Sequence, residues 1–158
     1  MKAVRDRTSD PRYFDGGELH AALSAAKTRS IAYWSDECDR DLDRVLAHFT
    51  SDATVVTADG TYSGHAAIRG LYRKSFDEYP ALSVDVIDLF PGAGGCCIEY
   101  SAVLTDVSSR RFRVEGVNLM RMRDGWISYL RSFEDAPRRR PRVVKRLKAQ
   151  AEGSGYER

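Results

Sequence analysis

The chain has 158 residues, 42% hydrophobic and 10% aromatic, enough to fill one core and hardly two, so a single domain is expected. No apolar run approaches the ~20 residues that cross a bilayer, and the N-terminal MKAVRDRTSDPRYF lacks the apolar stretch of a secretory signal, which predicts a cytoplasmic protein without a membrane partner. The 25 basic and 23 acidic residues nearly balance, yet residues 137–148 (PRRRPRVVKRLK) carry seven basic side chains and no acid, leaving a mildly acidic body of 18 basic against 23 acidic residues.

Residues 1–16 are polar and read as a flexible arm, 17–136 as the folded domain and 137–158 as a basic tail. Basic residues 138–148 are the only hint of nucleic acid. With no aromatic side chains interleaved to stack on bases, a solvated extension is the commoner meaning of such a run. Cys38, Cys96 and Cys97 are odd in number, and the adjacent pair would leave a strand on opposite faces, so reduced thiols are expected rather than a disulfide framework or metal knuckle.

From Glu18, the spacing of Leu19, Leu23, Ala26, Ile31 and Trp34 predicts a first helix that ends in the acidic run SDECDRD. Asp41 is placed to cap a second helix, LDRVLAHF, with Leu42, Val45, Leu46 and Phe49 on one face. The stretch SDATVVTADGTYSGHAAI then reads as a strand over 54–57, a turn at Asp59 and Gly60, a second short strand and a helix start at Ser63 or Gly64. Ile68, Leu71, Tyr72 and Phe76 line one side of this third helix, which Pro80 stops.

Beyond Pro80 the period becomes two. LSVDVIDLF, CCIEYSAVLTDV, FRVEGVNLMRMR and WISYLRSFED read as strands joined by PGAGG, SSRR and DG turns. Helices followed by consecutive hairpins predict an α+β fold, with helices on one face of a curved antiparallel sheet. Alternation turns Phe112, Val114, Gly116, Asn118, Met120 and Met122 inward, so Asn118 is a lone amide on an apolar face, either satisfied internally or aimed at a ligand. Ile98, Tyr100, Ala102 and Leu104 form the matching face of the strand before it. Neither alternate set of the last strand is cleanly apolar. No GxGxxG, phosphate loop or His/Asp cluster at ligand spacing is present, so neither metal nor cofactor is expected.

An aromatic pair on the first helix (Tyr33, Trp34), DATVV, SGHAAI and the ending MRMRDGWISYLRSFED resemble the NTF2-like superfamily and its SnoaL-like group of polyketide cyclases, ketosteroid isomerases and limonene-epoxide hydrolases, over about residues 25–135. The resemblance implies a cone, a strongly bent sheet wrapped around three helices, with an internal apolar cavity and a homodimer through the outer sheet face, for which Val117 and Leu119 are suitably apolar. Tyr33, nineteen residues before Asp52, falls at the place of the isomerases' catalytic tyrosine. Asn118, with one residue gapped, falls where they carry an acid that shares an oxyanion hole. The isomerase base is replaced by Thr57, whose hydroxyl cannot take a proton from carbon at neutral pH. Ser132 stands where the epoxide hydrolases have a catalytic aspartate, and their Arg-x-Asp pair has no match in CIEYSAVL.

Glu134 is then the remaining carboxylate, either enclosed by Trp34 and Leu130 and moving a proton, or a surface residue pairing with Arg131 or Arg138. His48 and His65 suit exposed or capping places better than catalysis. Two functions follow. One is a cofactor-free cyclase, isomerase or dehydratase for a hydrophobic ketone or polyketide-like molecule, with Tyr33, Asn118 and Glu134 catalytic and Trp34, Val55, Thr57, Tyr100, Gly116, Met120, Leu130 and Ser132 binding substrate. The other is a non-catalytic ligand-binding or dimeric interaction domain on the same scaffold.

Overall fold

The computed structural model describes residues 5–6, 17–92 and 94–135, so the arm and the basic tail lie outside the described residues apart from Arg5 and Asp6. In chain order the elements are β1 (Arg5–Asp6), α1 (Gly17–Cys38), α2 (Leu42–Leu46), β2 (Phe49–Thr57), β3 (Gly60–Ser63), α3 (Gly64–Glu78), β4 (Ala81–Gly92), β5 (Gly95–Thr105), β6 (Arg111–Arg123) and β7 (Trp126–Asp135). They form one curved sheet in the order β1-β4-β5-β6-β7-β2-β3, with α1 packed on β4 and β5 and α3 on β2.

The antiparallel order holds from β4 to β7 and in the β2–β3 hairpin, where short turns dictate it. Two pairs depart from it: β2 runs parallel to β7 and β1 parallel to β4. Both join segments far apart in the chain, whose direction no hairpin constrains. The DG turn closes β6 onto β7 with Arg123 opposite Trp126, and both loop residues take positive φ, 53° at Asp124 and 79° at Gly125, the twist that suits a two-residue hairpin.

The second helix is shorter than its pattern suggested. Asp41 caps it by accepting from the Arg44 amide at 3.1 Å, but it stops at Leu46 and Phe49 already begins β2. The ambiguity of β7 also resolves. A bulge between Arg121 and Met122 on the facing strand sets Met122 opposite Ile127 but Arg121 opposite Tyr129, so Ser128 is the extra residue and the inward set changes parity there. Ile127 is inward before the bulge, and Leu130 and Ser132 after it.

The core holds Val45, Leu46, Val55, Ile68, Val84, Val86, Ile98, Met120 and Ile127, all 3% exposed or less. On α1 the described buried positions are Ala26, Ser30, Tyr33, Trp34, Asp36 and Cys38. The face predicted from Leu19 and Leu23 falls partly on side chains outside the described residues. All three cysteines are free, two of them buried.

His48 departs from expectation. It is buried, and its Nε2 lies 2.7 Å from Asp36 Oδ2, because the turn after α2 folds it back against α1. Its backbone carbonyl also accepts from the Ile127 amide at 2.9 Å, tying the helical layer to β7. His48→Ala would leave a buried carboxylate held only by the largely exposed Arg44, 3.1 Å away. Urea denaturation at pH 7 should show a loss of roughly 2 kcal/mol.

Candidate active site

The helices and the bent sheet enclose a pocket of about 560 Å³. Of the residues singled out from sequence, Tyr33, Trp34, Val55, Thr57, Tyr100, Asn118, Leu130, Ser132 and Glu134 line it. Tyr33 and Asn118 therefore share one wall system, as a common binding centre requires. Met120 and Gly116 do not line it. Met120 is fully buried against the Ser30 hydroxyl, 3.6 Å from its sulfur. Gly116 leaves the space that the Tyr100 ring occupies, since a Cβ there would lie 2.8 Å from the Tyr100 hydroxyl and 2.7 Å from the Phe133 carbonyl oxygen. Thr57 keeps its wall position with its hydroxyl accepting from the Asp59 amide at 3.2 Å, in the turn that Asp59 was expected to form.

Two groups of hydrogen-bonded side chains lie on the pocket wall. In the deeper one the Tyr72 and Tyr33 hydroxyls are 2.6 Å apart, with Glu37 one helical turn beyond Tyr33. Tyr33 is clamped by Trp34, Phe49 and His48 at ring separations of 5.2, 5.8 and 6.2 Å. In the outer group the hydroxyls of Ser132 and Tyr100 both donate to Glu134 Oε1, at 3.1 and 3.4 Å. Glu134 is exposed rather than enclosed. The reason is register: β7 pairs with β2 only as far as Arg131, so beyond it one side of the strand is open to water.

Glu37 is the residue that sequence reading missed. It stands one helical turn after Tyr33, on the same side of α1, and lines the pocket. Burial raises its pKa from 4.5 to about 7, against the lowering by the Tyr33 hydrogen bond and the positive Arg40, while Glu134 raises it further. Burial also lifts the Tyr33 and Tyr72 phenols well above 10, helped by the charge of Glu37, so both remain protonated donors. Arg40, in a left-handed backbone conformation at φ 59°, rests its guanidinium over the Phe76 ring at 4.7 Å.

Three residues that line the pocket also hold enclosed polar atoms that no described residue satisfies, Trp34 Nε1, Glu37 Oε2 and Asn118 Oδ1. Leaving such atoms unpaired is costly. The wall offers a donor, a carboxylate near neutrality and an amide, arranged among aromatic rings. Among the described residues no group of three His, Cys, Asp or Glu side chains is placed to hold a metal ion, and no helix is long and apolar enough to cross a membrane.

A bent sheet folded around helices is the NTF2-like, ketosteroid isomerase-like fold. More narrowly, the SnoaL-like domain model matches residues 29–130, and the chain belongs to that family. No curated protein matches the sequence. Among solved structures, a protein with a ketosteroid isomerase-like fold from Catenulispora acidiphila, in complex with trimethylamine, is 18% identical with a TM-score of 0.62, over 66% of this chain and 83% of that one. An NTF2-like protein of Burkholderia pseudomallei is 16% identical at a TM-score of 0.65, over 80% and 97%. A Mycobacterium tuberculosis protein in complex with estradiol-17beta-hemisuccinate is 17% identical at 0.61, over 69% and 92%. At these identities the likeness is one of fold.

Proposed function

We propose that this chain is a cofactor-independent small-molecule enzyme of the isomerase, cyclase or dehydratase type, acting by proton transfer on a hydrophobic ketone or polyketide-like substrate. The observation that carries the reading is the place of Glu37, a carboxyl that lines the pocket beside the Tyr33–Tyr72 hydroxyl pair and whose pKa burial raises to about 7. It supplies from α1 the base that Thr57 cannot supply from β2.

In this mechanism the substrate carbonyl oxygen accepts from the Asn118 amide NH2, which stabilises the charge that develops on oxygen. Ionised Glu37 takes a proton from the adjacent carbon and returns it to the substrate elsewhere. Tyr33, held by Tyr72, keeps the carboxylate aimed. Glu134, oriented by Ser132 and Tyr100, works at the mouth as a binding group rather than as the main base. Binding of a steroid ester by one fold relative and of an amine by another supports a pocket for small organic guests. A homodimer would use the outer sheet face, where Val117 is paired with Phe133 and both are exposed.

The test is exchange of the protons beside the carbonyl of a hydrophobic cyclic ketone in D2O, followed by NMR. The chain should catalyse it. Asn118→Leu should slow it by about 10–100-fold with the fold intact, because the amide's contribution is to the charged state. A pocket that only binds would show no catalysed exchange, and the substitution would change affinity alone.

A further inference from the structure

We propose that His48 is an acid-sensitive latch, which fastens the turn between β6 and β7 to α1 while its ring is neutral and lets go when the ring is protonated. The proposal does not depend on the proton-transfer reading of the pocket. The ring is buried between two opposite charges that α1 supplies. Its Nε2 lies 2.7 Å from Asp36 Oδ2, and its Nδ1 lies 3.3 Å from Nη1 of Arg29. A guanidinium only donates, so Nδ1 has to accept. The one proton of the neutral ring is therefore on Nε2, which gives it to Asp36.

Arg29 carries the connection onward. Its Nε donates to the Gly125 carbonyl at 2.9 Å, and its guanidinium carbon stands 4.2 Å from the centre of the Trp126 ring, so one side chain grips the hairpin turn from below. The far side of the imidazole is fixed. Asp36 Oδ1 also takes Arg44 of α2 at 3.1 Å, and the His48 carbonyl holds the Ile127 amide of β7 at 2.9 Å. Tyr33 of α1 meets the ring edge-on at 6.2 Å; in the turn Asp124 is exposed, and Arg123 beside it is paired with Asp52 of β2. A second proton, placed on Nδ1, turns that atom from acceptor into donor and sets a positive ring against a positive guanidinium. Asp36 keeps the imidazolium, because their charges are opposite. Arg29, only half-buried and able to reach water, is the partner that leaves.

Nitrogen-15 NMR of the full chain, labelled at histidine and arginine, tests this between pH 8 and pH 5. At pH 8 His48 should be the neutral tautomer with its proton on Nε2, and the Arg29 Nε–H should be protected from exchange with water. At pH 5 both ring nitrogens should carry protons, and the protection of Arg29 should fall by about tenfold or more. Base-catalysed exchange slows in acid, so such a fall has to come from the broken contact. His48→Gln, with its fold verified by circular dichroism, puts there an amide that donates to Asp36 and accepts from Arg29 at any pH, and should keep the protection at both values. The tautomer and the protection are read in the wild-type chain and need no variant. A proton on Nδ1 at pH 8, a ring still neutral at pH 5, or Arg29 protection that survives protonation of His48 overturns the proposal. An equal loss of protection in folded H48Q overturns it as well, since acid would then act elsewhere.

Discussion

Replacing Glu37 with glutamine should abolish most turnover while making the folded protein more stable at alkaline pH. The activity loss follows from removing the base, for which about 10²–10⁴-fold is the usual scale. The gain in stability follows from linkage. Glu37 has its pKa raised from 4.5 to about 7 by burial, so the folded chain holds this proton more tightly than the unfolded chain does. Between those two values folding takes up a proton, and stability falls as pH rises; above about 7 the loss is complete. Glutamine carries no such penalty. Denaturation of both proteins should therefore show little difference below pH 4 and an advantage for E37Q of roughly 3 kcal/mol at pH 8. A glutamate whose ionised form the fold stabilises would give the opposite sign. In the wild-type chain, the rate of proton exchange should rise with pH and level off above about 7, the limb of a base that must be ionised.

Gly116→Ala should be the most damaging single-methyl change near the site. The added carbon would sit 2.7 Å from the Phe133 carbonyl oxygen and 2.8 and 2.9 Å from Oη and Cζ of Tyr100. The first contact is with backbone in a paired strand and cannot move freely, while the second displaces a ring packed beside Trp34. A loss of about 1–3 kcal/mol in a denaturation curve is expected. Ligand binding should fall as well, since Tyr100 would leave Ser132 and Glu134. In a Tyr100→Ala background, where that space is vacant, the Gly116→Ala change should cost less than it does in the wild-type chain. An equal cost in both backgrounds would show that the Phe133 contact dominates.

The alternation of β5 and β6 turned Tyr100 and Asn118 to the buried face, as the structure has them, because a sheet with one covered face writes burial directly into every second residue. The turns were legible for a similar reason: DG and Pro80 act locally, within a few residues. Two things were not. The bulge at Ser128 depends on pairing with β6, so nothing within WISYLRSFED announces where the inward set changes parity. Glu37 lay hidden in SDECDRD, which reads as a solvated charge run ending a helix. Its clue was spacing alone, four residues after Tyr33 and three after Trp34, which places it on the pocket side of α1. The burial of His48 against Asp36 was likewise beyond reach, because it depends on how the turn after α2 folds back.

The claim on which the mechanism stands is that the Glu37 carboxyl titrates near neutrality inside the pocket. Carboxyl-¹³C NMR of glutamate-labelled protein, assigned by loss of one resonance in E37Q, measures it directly. One glutamate signal moving with a midpoint of about 7, and absent from the variant, is the predicted result. A Glu37 signal titrating near 4.5 would contradict it, and the base would have to be sought elsewhere.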